Sequence, residues 1–326
     1  MRRTAWAILA AATTLAPMAA RADCKLLQIA EFHVDPRSRA PVVEGHINGK
    51  PVKIMFDTGA TFSAIYRHDA QQLGLPLTRM PGMEAEGVGG ETDIYQADVK
   101  ELRIGDATEQ NFHLMVAGDP DDAHGVAMLL GNDFFSEADA EFDLPDGVVR
   151  LFKPQGCTPP QLVYWGPASY SQATLLTWSR DWPAANIMAV VNGQPVRAGL
   201  DTGADISVID SARAASLGVT NGVTGHELQG TGPRRVESWV GQFNSIAIGD
   251  EQISHVKLQV AHMSDLSQST GTGTRLTDRG VDWPAMFIGE DFFHSHRVFV
   301  DYADHLVLFS YQGGPVFEPV LAAKDH

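Results

Sequence analysis

A chain that says nearly the same thing twice has to fold as two copies of one unit, and that constraint precedes anything composition can offer. The stretch PVKIMFDTGATFSAI, from Pro51 to Ile65, returns as PVRAGLDTGADISVI, from Pro195 to Ile209. Each copy follows an Asn-Gly pair and centres on Asp-Thr-Gly-Ala. An offset of 144 residues carries Asp57 onto Asp201, Asn48-Gly49 onto Asn192-Gly193, Leu73-Gly74 onto Leu217-Gly218 and Ile104-Gly105 onto Ile248-Gly249. Further on, LLGNDFF (Leu129 to Phe135) matches FIGEDFF (Phe287 to Phe293) at an offset of 158, so the second copy has gained 14 residues. The polar run from Ser267 to Gly280 accounts for the gain and reads as a surface loop. Self-similarity on this scale predicts two homologous lobes related by a pseudo-two-fold axis.

Both copies read as strands and tight turns. Val, Ile and Phe occur in short runs between 31 glycines and 18 prolines, which points to an all-β chain with few short helices. A strand around Val43–His46 meets the Asn48-Gly49 hairpin dipeptide, and a second strand, Val52–Phe56, delivers Asp57 at its end. Short helices are expected at Arg67–Leu73 and Ser211–Leu217, the latter with Asp210 as N-cap. Strands follow around Tyr95–Ile104 and Val236–Ile248. Each copy then closes on a hairpin, Ala140–Leu144 with Val148–Phe152 and Val298–Tyr302 with Leu306–Phe309. Prolines 159, 160, 167 and 183 mark residues 155–186 as an inter-lobe linker, with a strand expected in Gln172–Trp178. The expected division is a leader at 1–22, a first lobe at 23–154, the linker, and a second lobe at 187–326.

The leader rests on a basic start (Arg2, Arg3), an apolar run from Ala5 to Ala20, and the small-x-small triplet Ala20-Arg21-Ala22. Pro17 and the short length argue against a membrane anchor, and no later run is long enough to span a bilayer. The expectation is an exported chain, periplasmic or secreted. Loss of Arg2, Arg3 and Arg21 takes the formal charge from -16 to -19. So acidic a surface is repelled by phosphate backbones, which argues against nucleic acid as a partner. Cys24 and Cys157 bracket the first copy, and in an oxidising compartment they are expected to form one disulfide. Two thiols without a Cys-x-x-Cys give no metal site, and His294-x-His296 has no third ligand at useful spacing; surface or capping roles fit these histidines better.

Asp-Thr-Gly-Ala after an apolar strand, twice, each followed by a glycine-bearing hairpin and an apolar-apolar-Gly segment, resembles the retropepsin-like aspartic proteases. The resemblance spans roughly residues 42–153 and 187–309, as two copies fused in one polypeptide, like bacterial exported proteins of this tandem kind. It implies two β-barrel lobes of retropepsin or pepsin type and one active site between them. It implies Asp57 and Asp201 as the catalytic pair. Two carboxyls held close together share a proton, so the ionised one can activate a water while the protonated one polarises the scissile carbonyl. No cofactor is needed, and dimerisation is not required to complete the site. An extended peptide or protein is the expected substrate, bound by main-chain pairing.

The resemblance also assigns supporting roles. Thr58 and Thr202 correspond to the threonines that interlock the two catalytic loops. Gly59 and Gly203 would let the chain turn sharply and approach the carboxylates closely. Gly131 and Gly289 pack behind those loops. Flap residues are expected at Val88, Gly89 and Gly90 in the first copy and at Gly230, Thr231 and Gly232 in the second. Ala60 and Ala204 supply no hydroxyl to the carboxylates, so the pair should ionise later than in pepsin-like sites, with a mildly acidic to near-neutral optimum. Asn132 and Glu290 stand where retroviral enzymes carry an Arg, and Thr61 replaces the Asp that Asp205 provides in the second copy. The usual ion pair is therefore missing, and another brace is needed. Arg234 and Arg235 by the second flap face Glu84, Glu86 and Glu91 by the first, and Trp239 is the tryptophan best placed for the cleft. Two other readings compete. A catalytically silent peptide-binding module of the same fold would keep the lobes without turnover. A carboxylate-pair glycosidase explains the acids but not the duplication.

Overall fold

The computed structural model describes residues 23–118, 125–166, 168–177, 183–230, 232, 234–263 and 283–317. The leader, the Ser267–Gly280 loop, Thr231, Trp178 and Trp182 lie outside the described residues.

Both Asn-Gly dipeptides form the predicted hairpins. Asn48 and Gly49 have φ of 51° and 78°, Asn192 and Gly193 of 48° and 79°, the left-handed pair that a two-residue turn between twisted strands requires. The asparagines do more than turn. Asn48 Oδ1 accepts from the backbone N–H groups of Lys100 and Glu101 at 2.9 and 3.0 Å, and Asn192 Oδ1 from those of Asn244 and Ser245 at 2.8 and 3.4 Å. Each hairpin is thereby pinned to the strand that closes its barrel.

In the first lobe the barrel runs Val42–Ile47, Lys50–Phe56, Met128–Leu130, Ala64–Ile65, Ala107–Val116 and Gly90–Ile104. The last strand pairs back onto the first through Gly45↔Ile104 to Ile47↔Leu102. The second lobe repeats this with Asn186–Val191, Gln194–Leu200, Met286–Ile288, Val208–Asp210, Glu251–Ala261 and Ser238–Ile248, closed by Ala189↔Ile248 to Val191↔Ile246. These are two closed six-stranded barrels in a mostly β chain. Closure leaves few unpaired edges. The short helices lie where expected, Arg67–Leu73 and Ser211–Ser216, and Asp210 Oδ1 caps the latter by accepting from Ala212 and Arg213 N–H.

The closing hairpins leave their barrels and meet each other. Asp139–Asp143 pairs with His296–Asp301, and a six-stranded sheet forms in the order Lys25–His33, Val148–Gln155, Asp139–Asp143, His296–Asp301, Leu306–Tyr311, Ser171–Thr174. The linker thus supplies an edge strand at Ser171–Thr174. The opposite edge is the segment before the first repeat, and Cys24–Cys157 (S–S 2.08 Å) fastens it at its start. Edge-to-face aromatic contacts cross this junction: Phe56–Phe135 at 5.6 Å, Phe135–Phe142 at 5.5 Å and Phe142–Phe293 at 5.8 Å, all four rings fully buried. Each such contact contributes about 0.5–1.5 kcal/mol beyond area burial, so the lobes share one core.

Candidate active site

Asp57 and Asp201 each sit one residue beyond a barrel strand, Lys50–Phe56 and Gln194–Leu200. Both strands lie beside a short parallel neighbour, Met128–Leu130 or Met286–Ile288, and its last carbonyl accepts the aspartate's own N–H (Leu130 O and Ile288 O, both 2.9 Å). The loop that follows is held from the opposite lobe. Thr58 Oγ1 donates to Leu200 O and Thr202 Oγ1 to Phe56 O, both at 2.8 Å. Each hydroxyl also accepts the other threonine's N–H at 3.1 Å. These four bonds, buried on the pseudo-two-fold axis, fix the two carboxylates relative to each other.

The glycines explain how close the carboxylates come. A Cβ on Gly203 would lie 2.6 Å from Asp57 Cγ and 2.7 Å from its Oδ1, and one on Gly59 would overlap the Asp201 carboxylate in the same way. Each lobe's glycine therefore leaves the space that the other lobe's acid fills. Neither glycine has a positive φ, so close approach rather than a sharp turn is what excludes a side chain here. Gly131 and Gly289 pack as expected: a Cβ would meet Ala60 O at 2.9 Å and Ala204 O at 2.6 Å.

Asp57 and Asp201 lie within hydrogen-bonding reach of each other. Burial pushes both carboxyls above the usual range, and the neighbouring Asp57 charge pushes Asp201 further. Opposing this, Asp57 Oδ1 accepts from Gly59 N and Ala60 N at 2.9 and 3.1 Å, and Asp201 Oδ1 from Gly203 N at 3.0 Å. Ala60 and Ala204 contribute only main chain.

The brace that replaces the missing ion pair is a serine–aspartate clasp in each lobe. Ser63 N and Oγ donate to Asp133 Oδ1 at 2.8 and 2.7 Å, while Ser63 Oγ accepts from Gly131 N at 3.0 Å. Ser207 does the same with Asp291, at 2.9 and 2.6 Å, and with Gly289 N at 2.9 Å. Burial pushes Asp291 up to about 6. Sequence reasoning missed these four residues, although the same offsets of 144 and 158 relate them. It also missed Arg39, whose Nη1 lies 3.8 Å from Asp205 Oδ2, an exposed pair that contributes little.

In the hairpin expected to form the first flap, Gly89 and Gly90 take φ of 94° and 112°, a turn that demands glycine. The tips meet: Gly232 N donates to Val88 O at 3.0 Å and Arg234 N to Gly89 O at 3.1 Å. A Cβ on Gly230 would lie 2.8 Å from that of Val88. Flap charge asymmetry is softened, because Arg235 lies 3.8 Å from Glu227 and Arg79 pairs with Asp93 at 2.8 Å. Trp239 packs against the core of the second barrel, whereas Trp283 lines a small cavity beside Thr58 and Gly59. His296 corrects the surface assignment: it is fully buried, stacked on Phe292 at 4.0 Å, with Nε2 3.0 Å from Glu251 Oε1.

Residues 43–137 match the family described as "gag-polyprotein putative aspartyl protease", and residues 187–274 match the family described as aspartyl protease. Among solved structures the chain is similar to a retropepsin-like aspartic protease from Rickettsia conorii, with 20% identity, 40% of this chain and 94% of that one covered, and a TM-score of 0.28. No curated protein matches.

Proposed function

We propose, for a chain that belongs to the retropepsin-like aspartic proteases and carries two aspartyl protease domains in tandem, that it is an exported endopeptidase working through Asp57 and Asp201. The observation that carries this reading is the reciprocal fit of Gly59 against the Asp201 carboxylate and Gly203 against that of Asp57. Nothing in packing alone calls for one buried and one part-buried acid pressed together on a symmetry axis, at a cost in desolvation.

The pair titrates as a unit and shares one proton. Asp57, with two aligned N–H donors, is the better seat for the negative charge, and Asp201 for the proton. In the reaction the Asp57 carboxylate takes a proton from a water lying between the two acids. The Asp201 acid donates a hydrogen bond to the scissile carbonyl oxygen, and water adds to the carbon. The tetrahedral diol collapses as a proton passes to the leaving nitrogen, and the C–N bond breaks. Peptide entry requires the cross-flap bonds to part; the flaps then close over the substrate and exclude water. Fusion of the two lobes supplies both acids, so one chain makes a complete site.

The test uses the mature protein and its Asp201→Asn variant with a diverse peptide mixture across about pH 3 to 8, the range of shared-proton pairs. Cut sites are read by mass spectrometry. Cleavage by the parent alone, blocked by a statine-type inhibitor, is the expected result. Equal cleavage by both would sink the assignment, and peptide binding without cleavage would move it to the binding-module reading. For export, N-terminal sequencing of the protein recovered outside the cytoplasm should begin at Asp23.

A further inference from the structure

Position 290 breaks the symmetry of the support behind the catalytic loops. In the first lobe Asn132 holds its loop from behind. Its Nδ2 donates to Thr58 O at 2.5 Å and to Ala60 O at 3.1 Å, while its Oδ1 accepts from Tyr302 Oη at 2.7 Å. After the corresponding glycine in the second lobe comes Glu290. The two residues enter in the same way: Asn132 N donates to Ala60 O and Glu290 N to Ala204 O, both at 2.9 Å. Their side chains differ in one respect that matters, since an ionised carboxylate has no proton to give to a carbonyl.

Glu290 is 2% exposed. Its Oε1 accepts no hydrogen bond from any described group. Its Oε2 lies 3.0 Å from His294 Nε2, a contact that lowers the Glu290 carboxyl and raises the His294 imidazole, and the same ring nitrogen also lies 2.9 Å from Ser38 O. The charged groups around it are mostly of its own sign: Asp291 and His294 from its own short helix, and Asp205 from the catalytic loop. From the segment ahead of the first repeat come the Ser38 carbonyl and Arg39, the latter directed at Asp205. A buried anion with an unserved oxygen, next to a second carboxylate, is a costly arrangement.

We propose that Glu290 is a positioning residue for the second catalytic loop, acting as a neutral acid whose own proton supplies the donor that the Asn132 amide supplies in the first. This rests on the reading of Asp57 and Asp201 given above. Burial pushes the Glu290 carboxyl up to about 7, against the pull of His294, so the acid is neutral where the catalytic pair works. Loss of its proton exchanges a donor for an anion beside Asp205. The loop that carries Asp201 then slackens, while the Asn132 side is untouched.

The experiment compares the parent with Glu290→Gln, Glu290→Leu and Asp201→Asn from pH 5 to pH 8, reading kcat/KM and Tm. Gln keeps a donor at every pH. The ratio of kcat/KM for Gln to that of the parent should be near one at pH 5 and rise about tenfold by pH 8, one unit above a pKa near 7. Ionisation of Asp57 and Asp201 cancels in this ratio. Leu should be slow throughout, with the parent falling towards it as pH rises. The parent's Tm should drop relative to that of Gln as pH rises from about 5 to about 7, the span between the unfolded and folded values, and the same difference should persist when both carry Asp201→Asn. A ratio flat with pH, or a Leu variant equal to the parent at pH 5, overturns the proposal. If the parent cuts nothing, the catalytic reading fails separately. The Tm comparison then decides this proposal alone: curves for parent and Gln that run parallel from pH 5 to about pH 7 reject it, and divergence over that span upholds it.

Discussion

Thr202 offers the sharpest test of what holds the two Asp-Thr-Gly-Ala loops together. It is fully buried, and its Oγ1 donates to Phe56 O at 2.8 Å and accepts from Thr58 N at 3.1 Å. Valine has the same shape without the hydroxyl. Thr202→Val therefore leaves no void but strands one N–H and one C=O out of reach of water, at a cost of about 1–3 kcal/mol per group. We expect a loss of roughly 2–6 kcal/mol in total. Thr202→Ser keeps both hydrogen bonds and gives up one buried methyl, about 1 kcal/mol. Urea unfolding of the three proteins should place the midpoint of the Val variant on the order of 1 M below the parent, with Ser between them. The order is the point: a core governed by apolar packing would prefer Val to Ser. A Val variant as stable as the Ser variant would refute the claim that these hydrogen bonds, not shape, fix the axis.

Gly203→Ala should fold yet lose activity by at least about a hundredfold, because its Cβ would sit 2.6 Å from Asp57 Cγ; circular dichroism and peptide turnover separate the two effects. Removing the disulfide by Cys24→Ser and Cys157→Ser opens a loop of 133 residues, worth about 5 kcal/mol in the chain-entropy account. Tm should fall in the variant and fall equally in the parent under reductant. The raised carboxyls of Asp57 and Asp201 favour their protonated forms in the folded state, so stability is greatest on the acid side and is lost as pH climbs through the raised values. Asp201→Asn should flatten that loss. The rate profile should peak at mildly acidic to near-neutral pH; a maximum near pH 2 to 3, as for pepsin-like sites, would contradict it.

Much of this was legible because duplication is itself information. The turn residues Asn48-Gly49 and Asn192-Gly193, the Asp210 cap and the paired Asp-Thr-Gly-Ala turns are local signals, and local physics decides them. What escaped was set by contacts between distant segments. Nothing in Lys25–His33 announces an edge strand, because its partner Val148–Gln155 lies beyond a whole barrel. Position 132 reads in the sequence as a missing arginine, yet its grip on Thr58 O and Tyr302 Oη depends on where a residue 170 positions away is placed. The serine–aspartate clasps were recoverable in principle. Ser63 and Ser207 stand at matching places in the repeat, as do Asp133 and Asp291, but a serine in a turn has many ordinary uses.

The seam between the lobes shows what fusion permits. Asp139–Asp143 pairs with His296–Asp301 through Val298↔Phe142 and Val300↔Ala140, so position 297 faces 143 at one end and 301 faces 139 at the other. The 158-residue offset makes 139 the counterpart of 297 and 143 the counterpart of 301. In a dimer of identical copies both ends would have to match. Here one end holds Arg297 against Asp143 at 3.0 Å, and the other sets Asp139 against Asp301, both buried. Burial first, and the Asp301 charge next, push the Asp139 carboxyl up to about 7. Its folded value is raised above the unfolded one, so its contribution is fully present at low pH and disappears as pH rises through about 7. Asp139→Asn retains an acceptor for Tyr302 N–H, now at 3.0 Å, and removes the charge. The variant should therefore gain on the parent in Tm from about pH 4 to about pH 7 and hold that lead at pH 8. Arg297→Asp, which would place like charges at both ends of the seam, should be severely destabilised at every pH above the carboxylate range. If Asp139→Asn instead lost stability equally at pH 5 and pH 8, hydrogen-bond geometry rather than charge would be what position 139 contributes, and the seam would owe nothing to its asymmetry.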